Sequence, residues 1–223
     1  VAIRKIEKIT AWSYSRWATY RTCAYKAKLK FIDKLPEPSG PAAERGTLIH
    51  ALAQSYLEGM FKKLPEELKL FKEEFKELKK GSVECEGEWA FTRTWQPTGW
   101  FAADVFCRIK TDAYLEDRKG HAARVVDFKT GKVNEEHITQ LELYALGAFL
   151  RNPHLRAVTA ELWYLDKGVV EKREFEQGII PTLKDNWVNN TRAMLVDTRF
   201  APTPSAACRW CHFRKDNGGP CKF

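Results

Sequence analysis

The chain has 223 residues, 44% of them hydrophobic and 30% charged, the composition of a globular protein with one well-buried core and too little length for two full domains. Lys and Arg total 37 against 29 Asp and Glu, and the net charge of +8 suits a polyanionic partner, though mild basicity is also common without one. No apolar run approaches the roughly 20 residues that span a bilayer, and Val1–Thr10 alternates charged and apolar residues without the apolar stretch of a signal peptide; a reducing cytoplasm without membrane partners is the expectation.

Trp12–Phe31 reads as a helix with Ser13 as its N-cap and Trp17, Tyr20 and Ala24 on one face. The Pro- and Gly-rich stretch Pro36–Gly46 reads as a loop, after which Thr47 caps a helix running through His50 to about Leu57. Pro65 opens another helix with Leu68, Phe71, Phe75 and Leu78 as its apolar stripe, and Gly81 ends it. The pattern then turns to period two. Glu84–Thr92 and Trp100–Leu115 read as strands about the turn Gln96–Gly99, and Ala123–Lys129 follows a second turn at Asp117–His121. A helix over Glu135–Leu150, a hairpin of Val158–Leu165 with Val169–Phe175, and a helix over Pro181–Val196 complete the core. Ala201–Pro204 links it to a cysteine-bearing tail. The order of elements predicts an α/β sheet with helices on its faces.

The chemistry concentrates at Val125-Val126-Asp127-Phe128-Lys129-Thr130-Gly131. Residues two apart in a strand share a face, so Asp127 and Lys129 point together at the strand's end. A carboxylate that holds Mg²⁺ beside an amine that orients water suits metal-assisted hydrolysis, whereas a bare D-x-K is more often a surface ion pair. A hard cation needs more oxygen ligands. Asp112 fits, because a hairpin closing around Asp117–His121 brings it near Asp127; Asp104, at even spacing on the same stretch, is its rival. In the tail, Cys208-Arg209-Trp210-Cys211 and then Cys221 supply three thiols that call for a fourth ligand, with His212 as a fallback for Cys221. Four such ligands suit an iron–sulfur cluster or Zn²⁺ alike. Cys85 and Cys107, in strands, read as buried thiols. Basic Arg209, Arg214, Lys215 and Lys222 with Trp210 and Phe213 around the tail suit a nucleic-acid strand, or simply a solvated surface.

From Ser13 to Cys221 these features resemble the RecB-like branch of the PD-(D/E)XK nucleases, which includes CRISPR-associated and phage exonucleases. The resemblance implies a restriction-endonuclease-like mixed sheet flanked by helices, within a single nuclease domain over 1–223. Its core would run from about 44 to 197, and a Cys-ligated cluster would join the ends at about 13–31 and 205–223. It also implies a role for each matching residue. His50, in Gly46-Thr47-Leu48-Ile49-His50, is a metal ligand with Asp112 and Asp127, and Lys129 orients water. Gln140 and Tyr144, spaced i and i+4, are the Q-x-x-x-Y of the next helix. Cys23, Cys208, Cys211 and Cys221 hold a [4Fe–4S] cluster, with zinc as the alternative, although Cys221 lies farther from Cys211 than is usual in the family. The activity implied is Mg²⁺- or Mn²⁺-dependent hydrolysis of DNA, exonucleolytic on single strands or duplex ends, in a bacterial, archaeal or phage-infected cell. An oligomer, or a helicase or recombinase partner, fits that setting. A non-catalytic DNA-binding subunit on the same scaffold is the competing reading.

Overall fold

The computed structural model describes residues 8–117 and 119–223, so the first seven residues of the Val1–Thr10 stretch, and Arg118 of the expected turn, fall outside the described residues. The chain divides into two compact units, Gly40–Asp185 and the paired terminal segments Val1–Ser39 and Asn186–Phe223.

In the terminal unit the expected first helix is two. Helix α1 covers Tyr14–Thr22 and α2 covers Ala24–Phe31, with Cys23 between them in extended conformation (φ −163°, ψ 116°). Ser13 caps α1 by accepting from the Arg16 amide. Thr19 and Thr22 turn their hydroxyls back onto the carbonyls of Ser15 and Ala18, a habit that weakens helix interiors and favours a break here. The Cys23 amide closes α1 on Thr19 O, and its carbonyl receives the Ala27 amide to open α2. The core of this unit is a tryptophan stack. Trp12 lies over Trp187 at 5.3 Å between ring centroids, and Trp17 meets Trp187 edge-on at 5.2 Å. The Trp17 indole N–H donates to Asn190 O at 2.8 Å.

The other unit begins with α3 (Pro41–Leu57), so the second half of the expected loop is helical. Pro41 takes the first helical position, where its fixed φ fits and its missing N–H costs nothing. Thr47 therefore lies inside the helix, donating its hydroxyl to Ala43 O rather than capping. Pro65 leads into a 3₁₀ segment, Glu66–Phe71, before α4 (Lys72–Leu78). Then come β1 (Glu84–Phe91), the two-residue β2 (Pro97–Thr98), β3 (Cys107–Glu116) and β4 (Ala122–Lys129). Strand β3 starts seven residues later than the period-two pattern suggests, because turns closed by Gly99 O and Ala102 O occupy the segment before it. Helix α5 (Ile138–Arg151), β5 (Ala157–Tyr164) and β6 (Val169–Glu176) follow, and α6 (Ile180–Val196) leads out of this unit.

The six strands form one mixed sheet in the order β2-β1-β3-β4-β5-β6. Only β4 and β5 are parallel, and α5 makes the crossover that a parallel pair requires. On one face Ile49 and Ala53 of α3, with Phe71 and Phe75, pack against Ala113, Val126, Phe128 and Trp163. The opposite face receives α5, whose Gly147 lies so near the sheet that a Cβ there would meet Ile109 and Trp89 side chains at 2.6 and 3.0 Å. This is the mixed, helix-flanked α/β sheet of a restriction-endonuclease-like fold. Among the described residues no helix is long and apolar enough to cross a membrane.

Candidate active site

Strand alternation puts Asp127 and Lys129 on the α5 face, opposite Phe128. There the Lys129 ammonium lies 2.6 Å from Asp127 Oδ2 and donates to Gln140 Oε1 at 2.9 Å. The Gln140 amide nitrogen donates to Asp127 Oδ1 at 3.3 Å and to the Tyr144 hydroxyl at 2.6 Å. The Tyr144 hydroxyl donates in turn to Asp127 Oδ1. One turn of α5 thus reads both members of the D-x-K pair, because i and i+4 residues stack on one helical face. Asp127 Oδ2 is buried and, despite the nearby ammonium, has no donor aligned with it among the described residues.

Asp112 sits where the sheet comes apart. Pairing of β3 with β4 runs from Glu116 and Ala123 to Ala113 and Val126, and the next step would oppose Asp112 to Asp127. The Phe128 amide instead donates to Asp112 Oδ2 at 2.6 Å, and the other carboxylate oxygen meets His50 Nδ1 at 2.9 Å. Pairing of β1 with β3 skips the same level, where Glu86 would oppose Asp112. Glu86 has φ 52°, a conformation unfavourable for any residue but glycine. The alternation slips at this level. Cys85 and Ala113 belong to the α3 side, yet Trp89 and Tyr114, an odd and an even residue, share the α5 side with ring centroids 5.2 Å apart. The slip lets Glu86 and Asp112 meet the His50 side chain delivered by α3. Ligand atoms of His50, Glu86 and Asp112 all lie within 4.8 Å of one another.

The electrostatics fit a cation. Burial and the neighbouring Asp127 charge raise Asp112 above the usual carboxylate range, against the lowering effects of His50 and the Phe128 amide. Burial disfavours the charged form of His50, but the hydrogen bond to Asp112 and the charges of Asp112, Asp127 and Glu86 outweigh it, so the imidazole titrates above its ordinary value. One imidazole nitrogen and two carboxylates, with a third carboxylate near, are a donor set that could hold a divalent cation. Asp104, the rival to Asp112, is exposed and accepts from the Thr98 hydroxyl at 2.8 Å, away from this set.

Glu86 escaped the sequence reading. Glu84, Glu86 and Glu88 alternate like the solvated face of any strand, and the only local sign was Gly87, where an added Cβ would stand 2.7 Å from the Glu84 and Thr111 side-chain oxygens.

In the terminal unit, Cys23, Cys208, Cys211 and Cys221 line one cavity of about 200 Å³, with Trp210 and Phe213 on its wall. All four are free thiols, and among the described residues no three of their sulfurs lie within 4.8 Å of one another. The sulfurs of Cys23 and Cys208 accept the amides of Thr203 and Ser205 at 3.5 and 3.3 Å. Cys221 returns to the site because its amide bonds Phe213 O at 2.9 Å, a fold-back that spans the long gap after Cys211. His212 is not among the residues lining that cavity; its ring packs edge-on against Phe213. Cys107 is buried in β3, and burial lifts its thiol well above the ordinary range; burial likewise lifts Cys85 to about 11.

The mixed sheet gathers carboxylates, an imidazole and a lysine, groups suited to metal-assisted hydrolysis. A sequence profile of the PD-(D/E)XK nuclease superfamily matches residues 11–215, and the chain belongs to that superfamily. Its members are nucleases that use divalent metals, and DNA is the substrate class they imply. Comparison with curated proteins finds no match. Solved structures that resemble the chain include two of low identity. SSO0001 is 17% identical, covers 93% of this chain and 85% of its own, and has a TM-score of 0.46. A protein of Eubacterium rectale, named as a candidate exonuclease, is 13% identical, with 90% and 88% coverage and a TM-score of 0.49.

Proposed function

We propose that this chain is a Mg²⁺- or Mn²⁺-dependent deoxyribonuclease of the RecB-like, exonucleolytic kind, acting on single strands or duplex ends. The observation that carries the reading is the convergence of His50, Glu86 and Asp112 ligand atoms at the level of Asp127, the first member of the D-x-K pair. His50, Glu86 and Asp112 hold the ion, and Asp127, the next residue in the broken register, completes the set. When bound, the ion offsets charge on the attacking and leaving oxygens of the phosphodiester. The chain's own part is positional. Lys129 orients the attacking water and offsets developing charge at its ammonium, Gln140 fixes that ammonium, and Tyr144 fixes the Asp127 carboxylate. The net charge of +8 favours the phosphate backbone through counterion release.

The four cysteines of the terminal unit we read as [4Fe–4S] ligands. What supports this reading is that the four cysteines line one cavity of about 200 Å³ and that the family resemblance implies a cluster there; four thiolates would serve zinc as well, which is the alternative. The cluster's role is structural, tying the α1–α2 junction to the tail within one nuclease domain.

The test is degradation of end-labelled linear DNA, beside a closed circle, with Mg²⁺ or Mn²⁺ and with EDTA. Cleavage is expected on the linear substrate, metal-dependent, and abolished in Asp127→Ala and Lys129→Ala while DNA affinity stays within a few-fold. Cleavage that persists in EDTA, or in either variant, overturns the assignment. A protein that binds DNA but never cuts it is the non-catalytic subunit.

A further inference from the structure

His137 occupies a place in this site that the D-x-K and Q-x-x-x-Y motifs do not cover. It ends the 3₁₀ turn Glu135–His137 and stands as N-cap of α5, three residues before Gln140 and seven before Tyr144. That spacing puts all three side chains on the helical face turned toward the D-x-K pair. A second element reaches the same point. In the parallel pairing of β4 with β5, Tyr164 lies opposite Lys129, so both side chains leave the same face of the sheet.

The two side chains meet. His137 Nδ1 lies 3.2 Å from the Tyr164 hydroxyl, and the rings stack at 6.1 Å with 15° between their planes. The Asn134 amide donates to the same hydroxyl oxygen at 3.3 Å. The hydroxyl proton then has two acceptors, His137 Nδ1 and Asn134 O, the latter at 3.2 Å. Asn134 is exposed and His137 half-buried, and an acceptor with less access to water loses more by going unpaired, which favours donation to Nδ1. Donation to Nδ1 places the ring's own proton on Nε2, which makes no hydrogen bond among the described residues. Burial and the Lys129 charge hold His137 below its ordinary value, which keeps the ring neutral and in that tautomer.

We propose that His137 contacts the substrate: Nε2 donates a hydrogen bond to a non-bridging oxygen of the phosphodiester held at Lys129, and Tyr164 fixes the ring for that contact. The inference rests on the nuclease reading above and assigns Tyr164 a positioning role. Such a donor gains importance as charge builds on the phosphoryl oxygens, so its loss falls on turnover more than on binding.

The experiment compares kcat, KM and DNA affinity for linear DNA in wild type, Lys129→Ala, His137→Ala, His137→Gln, Tyr164→Phe and the His137→Ala/Tyr164→Phe double variant, with melting temperature recorded for each. His137→Ala is expected to lower kcat by about 100-fold, the cost of one lost transition-state donor, with KM and melting nearly unchanged. His137→Gln, which keeps an N–H at similar reach, recovers most of that loss. Tyr164→Phe lowers kcat by about tenfold alone and nothing further beside His137→Ala, the non-additivity expected of residues acting as one unit. A kcat within twofold of wild type in His137→Ala, a loss that tracks the melting temperature, or additive effects of the two substitutions would overturn the inference. Should those results appear while Lys129→Ala is inactive, the nuclease reading stands and only the role of His137 falls. Absence of metal-dependent cleavage in wild type overturns both.

Discussion

Replacing Gln140 tests how the site holds its lysine. The amide has a forced polarity: its oxygen accepts from the Lys129 ammonium at 2.9 Å, and its nitrogen faces Asp127 Oδ1 and the Tyr144 hydroxyl. A flipped amide would set N–H against ammonium and carbonyl against carboxylate, so the neighbours fix it. Gln140→Ala removes one charge-assisted hydrogen bond to Lys129 and one to Asp127. Each bond to a charged group is worth about 1.5–3 kcal/mol, and solvent entering the emptied space returns part of it. A loss of about 1.5–3 kcal/mol in transition-state stabilisation corresponds to roughly 10- to 100-fold in kcat at 1.36 kcal/mol per decade. Gln140→Glu is the sharper variant. It preserves the bond to Lys129 but turns a carboxylate oxygen toward Asp127, so it is expected to lose at least as much as alanine despite its similar size. Single-turnover cleavage of linear DNA with saturating metal measures both. If Gln140→Ala cuts at the wild-type rate, the amide does not position Lys129. If Gln140→Glu is fully active, the polarity argument fails.

Three further outcomes follow from the packing. Gly147→Ala should destabilise the protein by about 1 kcal/mol in urea titration, because a methyl group 2.6 Å from Ile109 Cδ1 and 3.0 Å from Trp89 costs about 1–3 kcal/mol of overpacking against a helix-propensity gain of about 1; a stabilised variant contradicts the close approach of α5 to the sheet. Burial alone would raise Asp197, but the Phe200 and Arg199 amides and the Tyr20 hydroxyl hold it below its ordinary value, while burial and Asp197 push Tyr20 up to about 12. A carboxyl depressed in the folded state stabilises fully above its unfolded pKa of about 3.9 and loses that contribution as pH falls through the folded value; Asp197→Asn should therefore destabilise at pH 7 and converge on wild type near pH 2, and a pH-independent deficit would refute this. Protein prepared without oxygen should be brown, and Cys23→Ser should lose both colour and melting stability, since the ligands come from both ends of the terminal unit and cluster binding is linked to folding; a colourless protein holding one zinc would instead identify the site as a zinc site.

What the sequence alone determined is whatever a fixed local period encodes. Asp127 and Lys129 share a face because strands repeat every two residues, and Gln140 and Tyr144 share one because helices repeat every 3.6. The hydrophobic runs located every major strand but overran the start of β3, because Trp100 to Phe106 carry apolar residues yet close into turns. The boundaries that shifted were set by single residues whose preference depends on position: Pro41, which breaks a helix interior but opens α3, and Cys23, extended between two helices. Tertiary structure alone decided how the carboxylates meet. The pairing of β3 lapses on both sides of Asp112, and the alternation slips there, turning Glu86 and Asp112 toward α3 and His50. A one-residue slip exchanges the two faces of a strand, and it is imposed by neighbouring strands and a helix 62 residues away in the chain, so no local pattern in β1 or β3 could announce it.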